Sequence, residues 1–207
     1  MNKNISIITN FGCQTDCWYC IWKKHSLHNV QLDTDWDKLY DFLYDNKEKG
    51  KVSVSGGGDC LYKWDIYQKW WDQLFLKCEI LNIIIDVHSR EKFYNDKFWS
   101  KINRCVVSSD IFSDDNEYFD YLLKHTKIRI VHVVTKDSTK ELINEYIEYE
   151  KSDENCQFTI KELVGYDDNE NYESFKNIFG NDLFALDDGD YNIYYMPDNT
   201  ITDKFLF

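Results

Sequence analysis

A single proline, Pro197, and eight glycines punctuate 207 residues, so no Gly-, Ser- or Pro-rich stretch can serve as a flexible linker. No run of about 18 apolar residues occurs, and no spanning helix is expected. Basic residues are the minority: 24 Lys+Arg against 37 Asp+Glu leave a net charge of −13. Domains that track a phosphate backbone gain affinity by neutralising it and are usually basic. This balance disfavours DNA or RNA as partner. The N-terminus, MNKNISIITNFGC, lacks the long apolar core and small-residue cleavage site of a signal peptide, and reads as a first strand. Seven cysteines are an odd number. Without an export signal they argue against a disulfide scaffold and for a reducing, cytoplasmic compartment.

A 43% hydrophobic, 29% charged composition can fill a core and suits one domain with at most a short appendage. Runs rich in β-branched or apolar residues fall at about 4–9, 51–55, 81–87, 104–109, 127–134 and 156–164. Between them lie longer segments with helical spacing, such as Trp36, Leu39, Tyr40 and Leu43, or Trp64, Tyr67, Trp71, Leu74 and Phe75. Ser138-Thr139-Lys140-Glu141 has the capping-box pattern and opens another helix. Strands alternating with helices predict an α/β fold with a parallel sheet. Six such units can curl into a partial, TIM-like (β/α)6 barrel with its site at the C-terminal strand ends, or lie as an open doubly wound sheet. Periodicity does not separate the two. Residues 181–207 carry turn signals at Asp188-Gly189 and Pro197-Asp198-Asn199 around a YNIYY run, which predicts a terminal hairpin or flap.

Three of the seven cysteines cluster. Cys13, Cys17 and Cys20 form a C-x3-C-x2-C loop directly after the first strand. Three thiolates on a short loop can wrap one corner of an iron–sulfur cube. Pure electron carriers commonly use four cysteines, so three would leave one iron open to a substrate. Zinc is the competing reading, with His25 or His28 completing a Cys3His set, and a one-cluster electron carrier is another.

This loop, with an aromatic residue (Tyr19) before its last cysteine, and Ser55-Gly56-Gly57-Gly58-Asp59 after the second strand, resembles the radical S-adenosylmethionine superfamily. The resemblance implies a partial-barrel core over residues 1–180 and a C-terminal extension over 181–207. It implies a [4Fe-4S] cluster on Cys13, Cys17 and Cys20, with S-adenosylmethionine chelating the fourth iron. Gly56, Gly57, Gly58 and Asp59 would line the amino group of the methionine moiety, and Tyr19 would approach the adenine. Ser89, Ser108, Ser109 and Asp110 would face the carboxylate and ribose. An external donor such as flavodoxin or ferredoxin would supply the electron. One departure is Cys60, which stands where the family usually has proline and is a candidate for redox sensitivity near the cofactor.

Plainer readings stand beside these. Gly56–Asp59 alone is an ordinary strand-to-helix turn, and the lysine and hydroxyl of a phosphate loop are missing. His88 and His132 read first as satisfied strand-end histidines and second as catalytic groups. Lys161 and Glu162 are similar candidates, and Cys78, Cys105 and Cys156 read as buried, apolar-like residues. The substrate is not legible. Glycyl-radical activating enzymes and 7-carboxy-7-deazaguanine synthases are short members of the family, yet Ile21-Trp22 and Tyr19 depart from the residues each usually carries. A small molecule, peptide or protein is expected.

Overall fold

The computed structural model describes residues 4–15, 17, 20, 33–114, 116–161, 170–180, 183 and 192–203. The chain forms two compact units, residues 1–103 with 189–207, and residues 104–188.

The first unit contains β1 (Asn4–Gly12), α1 (Trp36–Asp45), β2 (Lys51–Gly58), α2 (Trp64–Leu81), β3 (Ile84–His88), the short α3 (Asp96–Trp99), β7 (Asn192–Tyr195) and β8 (Ile201–Thr202). Its strands run in the order β3-β2-β1-β7-β8. All neighbours are parallel except the β7–β8 pair. The expected terminal hairpin exists, and its first strand lies along β1 with Ile5 opposite Ile193. That makes β1 an interior strand. Its burial reflects the position: Ile5 to Thr9 are buried without interruption, as a strand covered on both faces requires.

The helices follow their caps. Asp35 Oδ1 accepts the Lys38 amide at 3.0 Å and starts α1, which buries Leu39, Phe42 and Leu43. Helix α2 runs on to Leu81 and is closed by Asn82 in the left-handed conformation. The third strand therefore begins at Ile84, three residues later than the apolar run suggests. Trp70, Trp71, Leu74, Phe75 and Cys78 line the buried side of α2. Trp71 meets Phe75 and Phe98 at ring-centroid separations of 5.6 and 5.1 Å. Fully burying one such ring contributes about 2 kcal/mol or more.

The second unit contains β4 (Arg104–Ser108), α4 (Ser109–Asp114), α5 (Asn116–Leu123), β5 (Lys127–Val133), α6 (Lys140–Ser152), β6 (Cys156–Lys161) and α7 (Glu170–Phe179). Its strands run β6-β5-β4, all parallel. Helix α6 begins one residue later than the capping box predicts. Thr139 is the cap, accepting the Leu142 amide at 3.2 Å. Ser138 is otherwise engaged: its Oγ accepts the Thr135 amide at 2.9 Å and lies 2.8 Å from His132 Nε2.

The protein is thus a mostly parallel α/β fold whose two strand runs are open at β8 and β6. Among the described residues no helix is long and apolar enough to cross a membrane.

Candidate metal centre

Because β1, β2 and β3 are parallel, their C-terminal ends lie on one side of the first unit, where α/β folds place ligands. Three polar segments meet the chain there: the cysteine loop after β1, the glycine run ending β2, and Ser89-Arg90-Glu91 after β3.

The glycine run is shaped by contact with β1. Thr9 pairs with Gly56 and Gly12 with Gly58, so β1 spends three steps where β2 spends two. The Asp59 amide donates to the Gly12 carbonyl at 2.7 Å and closes this bulge. Gly58 sits at φ +109°, and a Cβ there would lie 2.0 Å from the Gly12 oxygen. Backbone occupies that space, so only glycine fits.

All seven cysteines are free thiols. Cys13 is exposed and Cys17 and Cys20 are partly buried, whereas Cys60, Cys78, Cys105 and Cys156 are buried. The Cys13 sulfur accepts the Thr15 amide at 3.4 Å and lies 2.9 Å from the Thr15 hydroxyl. The Cys20 amide donates to the Cys17 carbonyl at 3.1 Å, and Cys20 packs on Ile8, Tyr194 and Met196. The hairpin also holds the start of α1. Asn199 accepts the Asp35 amide and donates to the Asp33 carbonyl, at 2.9 and 2.7 Å. The hairpin segment thereby touches the chain at Cys20, through Tyr194 and Met196, and again at Asp33, through Asn199.

Among the described residues no three His, Cys, Asp or Glu side chains are gathered in the manner of a metal site. The donor set itself fits a thiophilic centre: three accessible, reduced thiols on one loop suit iron–sulfur or zinc and disfavour hard cations. Tyr19, His25 and His28 lie outside the described residues.

The structure gives Asp59 a part that the sequence does not suggest. Its carboxylate is 4% exposed and turns toward the end of β3. Oδ1 accepts the Leu61 amide at 2.9 Å and the Ser89 hydroxyl at 2.7 Å. Oδ2 accepts the amides of Arg90 at 2.5 Å and Glu91 at 3.1 Å. Burial raises the Asp59 pKa above the usual carboxylate range, while these donors pull it down. Burial and the Asp59 charge also raise Glu91. Ser89 is likewise spoken for, since its Oγ accepts the Glu91 amide at 3.0 Å as well. Both side chains thus build the β3 turn.

That turn carries a residue sequence reasoning missed. Arg90 Nη1 donates to the Cys17 sulfur at 2.6 Å, linking the glycine motif to the cysteine loop. Its only sequence signal is its rarity: it is one of three arginines beside 21 lysines, placed just after a strand end.

Cys60 is fully buried, and its thiol donates to the His88 carbonyl at 3.1 Å. That burial shields it from the redox chemistry its position in sequence suggested. His88 Nε2 lies 2.8 Å from the Ser53 hydroxyl on the neighbouring strand. In the second unit, Ser108 ends β4 and Asp110 stands exposed in the first turn of α4. Ser109 Oγ lies 2.8 Å from His132 Nδ1, while Tyr146 Oη donates to the Ser109 carbonyl at 3.1 Å. His132 therefore bridges two serines. Burial lowers its pKa, opposed by the charge of Asp110. Lys161 ends β6, and Glu162 lies outside the described residues.

No protein-family model matches the chain, and no curated protein matches it.

Proposed function

We propose that this chain is a radical enzyme in which Cys13, Cys17 and Cys20 hold a [4Fe-4S] cluster that takes S-adenosylmethionine as its cosubstrate. One observation carries the reading: a loop of three accessible thiols leaves β1 beside the glycine end of β2, at the C-terminal ends of parallel strands. When bound, such a cluster supplies the electron that splits the carbon–sulfur bond of S-adenosylmethionine into methionine and a hydrogen-abstracting 5′-deoxyadenosyl radical.

The chain's own residues have separable parts in this reading. The three cysteines leave one iron without a protein ligand, which is where an amino acid can chelate. Gly56, Gly57 and Gly58 supply a side-chain-free rim for close approach of the methionine moiety. Asp59 and Ser89 hold the β3 turn that flanks it. Ser108, Ser109 and Asp110 are the corresponding strand-end residues of β4 and are assigned to the carboxylate and ribose; Tyr19 is assigned to the adenine. The reading also carries a partial (β/α)6 curl of β1–β6, an external electron donor such as flavodoxin or ferredoxin, and a small-molecule, peptide or protein substrate.

The test is anaerobic reconstitution with iron and sulfide, followed by dithionite and S-adenosylmethionine. The expected result is a brown protein with about four irons per chain that releases 5′-deoxyadenosine. Addition of S-adenosylmethionine should also alter the EPR spectrum of the reduced cluster. A colourless protein that retains one zinc and forms no 5′-deoxyadenosine would overturn the reading and favour a zinc-stapled module.

A further inference from the structure

Arg90 is held at both its backbone and its tip. Its amide and that of Glu91 donate to Asp59 Oδ2, and Ser89 beside it donates to Oδ1. The Cα position of Arg90 is thus fixed by the buried carboxylate of Asp59, the residue whose amide closes the β1–β2 bulge. A long side chain springing from a fixed backbone loses less freedom when its head group is immobilised, and the planar guanidinium is permanently charged. Its Nη1 lies on the Cys17 sulfur. The two other arginines are committed elsewhere: Arg104 and Arg129 donate to Gln157 Oε1 at 2.8 and 3.1 Å.

We propose that Arg90 is a positioning residue that sets the reduction potential of the centre on Cys13, Cys17 and Cys20, through a charge-assisted hydrogen bond to the Cys17 sulfur. The proposal rests on the cluster reading above. Reduction adds one electron to the centre, and a fixed positive donor at a ligating sulfur favours the more negative, reduced state. Hydrogen bonds from outside the ligand set are a principal means of such tuning. Arg90 would therefore raise the potential and ease delivery of an electron by an external one-electron donor. Asp59 acts one step further away, by aiming the turn.

The experiment is a mediated redox titration, read by EPR, of reconstituted wild-type protein, Arg90→Gln and Arg90→Lys. At the potential where the wild type is half reduced, Arg90→Gln should show about a tenfold lower reduced-to-oxidised ratio. That corresponds to a shift of about 59 mV for a one-electron couple. Arg90→Lys, which keeps the charge, should recover most of the shift. A second measurement needs no variant to fold: with arginine labelled by 15N in the guanidinium, the reduced wild-type cluster should show a 15N coupling in pulsed EPR. Unchanged potentials in both variants, or absence of that coupling, would overturn the proposal while leaving S-adenosylmethionine cleavage by the wild type intact. A wild-type chain that takes up no iron would remove both readings.

Discussion

The Ser89 hydroxyl donates to Asp59 Oδ1 at 2.7 Å, tying the turn after β3 to the residue that closes the β1–β2 bulge. Through this bond the second and third strand ends form one structural piece, and Arg90 extends it to the cysteine loop. The cysteines alone specify a donor set. The piece behind them specifies what surrounds that set.

Asp59→Ala removes an acceptor that satisfies three amides and one hydroxyl in a nearly dry setting. Buried donors left without a partner cost about 1–3 kcal/mol each, with water recovering part of this. We expect a loss of at least about 3 kcal/mol in unfolding free energy by urea titration. Ser89→Ala removes one donor to Asp59 and one acceptor of the Glu91 amide, which Asp59 Oδ2 still accepts, and should cost about 1 kcal/mol. Equal, small effects of the two substitutions would mean that the turn does not depend on the carboxylate.

Glycine substitutions separate conformational strain from steric exclusion. Gly50 sits at φ +67° with nothing within 4 Å of an added Cβ, so Gly50→Ala should cost only about 1 kcal/mol, the left-handed penalty. Gly58→Ala meets the Gly12 carbonyl as well. The two strands would have to part, at a cost of more than about 3 kcal/mol. Denaturant midpoints of the two variants measure the difference, and similar midpoints would show that the bulge yields easily.

The strand–helix rhythm was legible because each strand is short, apolar and bounded by polar helical spacing. Boundaries were less so. Leu81 looks like strand by composition, yet it completes the last turn of α2, whose end is set by Asn82 adopting a left-handed conformation. Ser138 looks like a cap by spacing, but a histidine six residues earlier competes for its hydroxyl. The cysteine loop and glycine run could be found from spacing. Arg90 could not, because its relation to Cys17 spans 73 residues and depends on the strand order. The YNIYY run read as part of a hairpin, and its parallel pairing with β1 likewise needs the third dimension.

Thiol accessibility divides the seven cysteines into two classes. In the metal-free protein at pH 8, Cys13, Cys17 and Cys20 should react with iodoacetamide, since each is at least partly exposed. Cys60, Cys78, Cys105 and Cys156 should stay protected, and burial pushes the thiols of Cys78 and Cys156 up to about 12. Mass spectrometry of the labelled peptides reads this directly. The same division predicts iron content: Cys17→Ala should lose the reconstituted iron, whereas Cys60→Ala should retain it. Iron lost equally from both would place the metal elsewhere.

His132 provides the pH dependence. It is 7% exposed, touches the hydroxyls of Ser109 and Ser138 through its two ring nitrogens, packs on Tyr146 and senses the charge of Asp110. Burial lowers its pKa in the fold, while the unfolded chain keeps the ordinary value of about 6.5. On acidification below about 6.5 the unfolded state takes up the proton first, so it binds more protons than the native state. The histidine's contribution to stability is therefore complete above that pH and is lost as pH falls toward the folded-state value. The slope is at most about 1.4 kcal/mol per pH unit. Urea midpoints at pH 7.5, 6.5 and 5.5 should fall more steeply for the wild type than for His132→Gln, which removes the titrating group. An NMR titration of the His132 ring should place its midpoint below that of a model peptide. A midpoint equal to the peptide value would abolish the expected slope, and one above it would show that Asp110 outweighs burial and would reverse the slope.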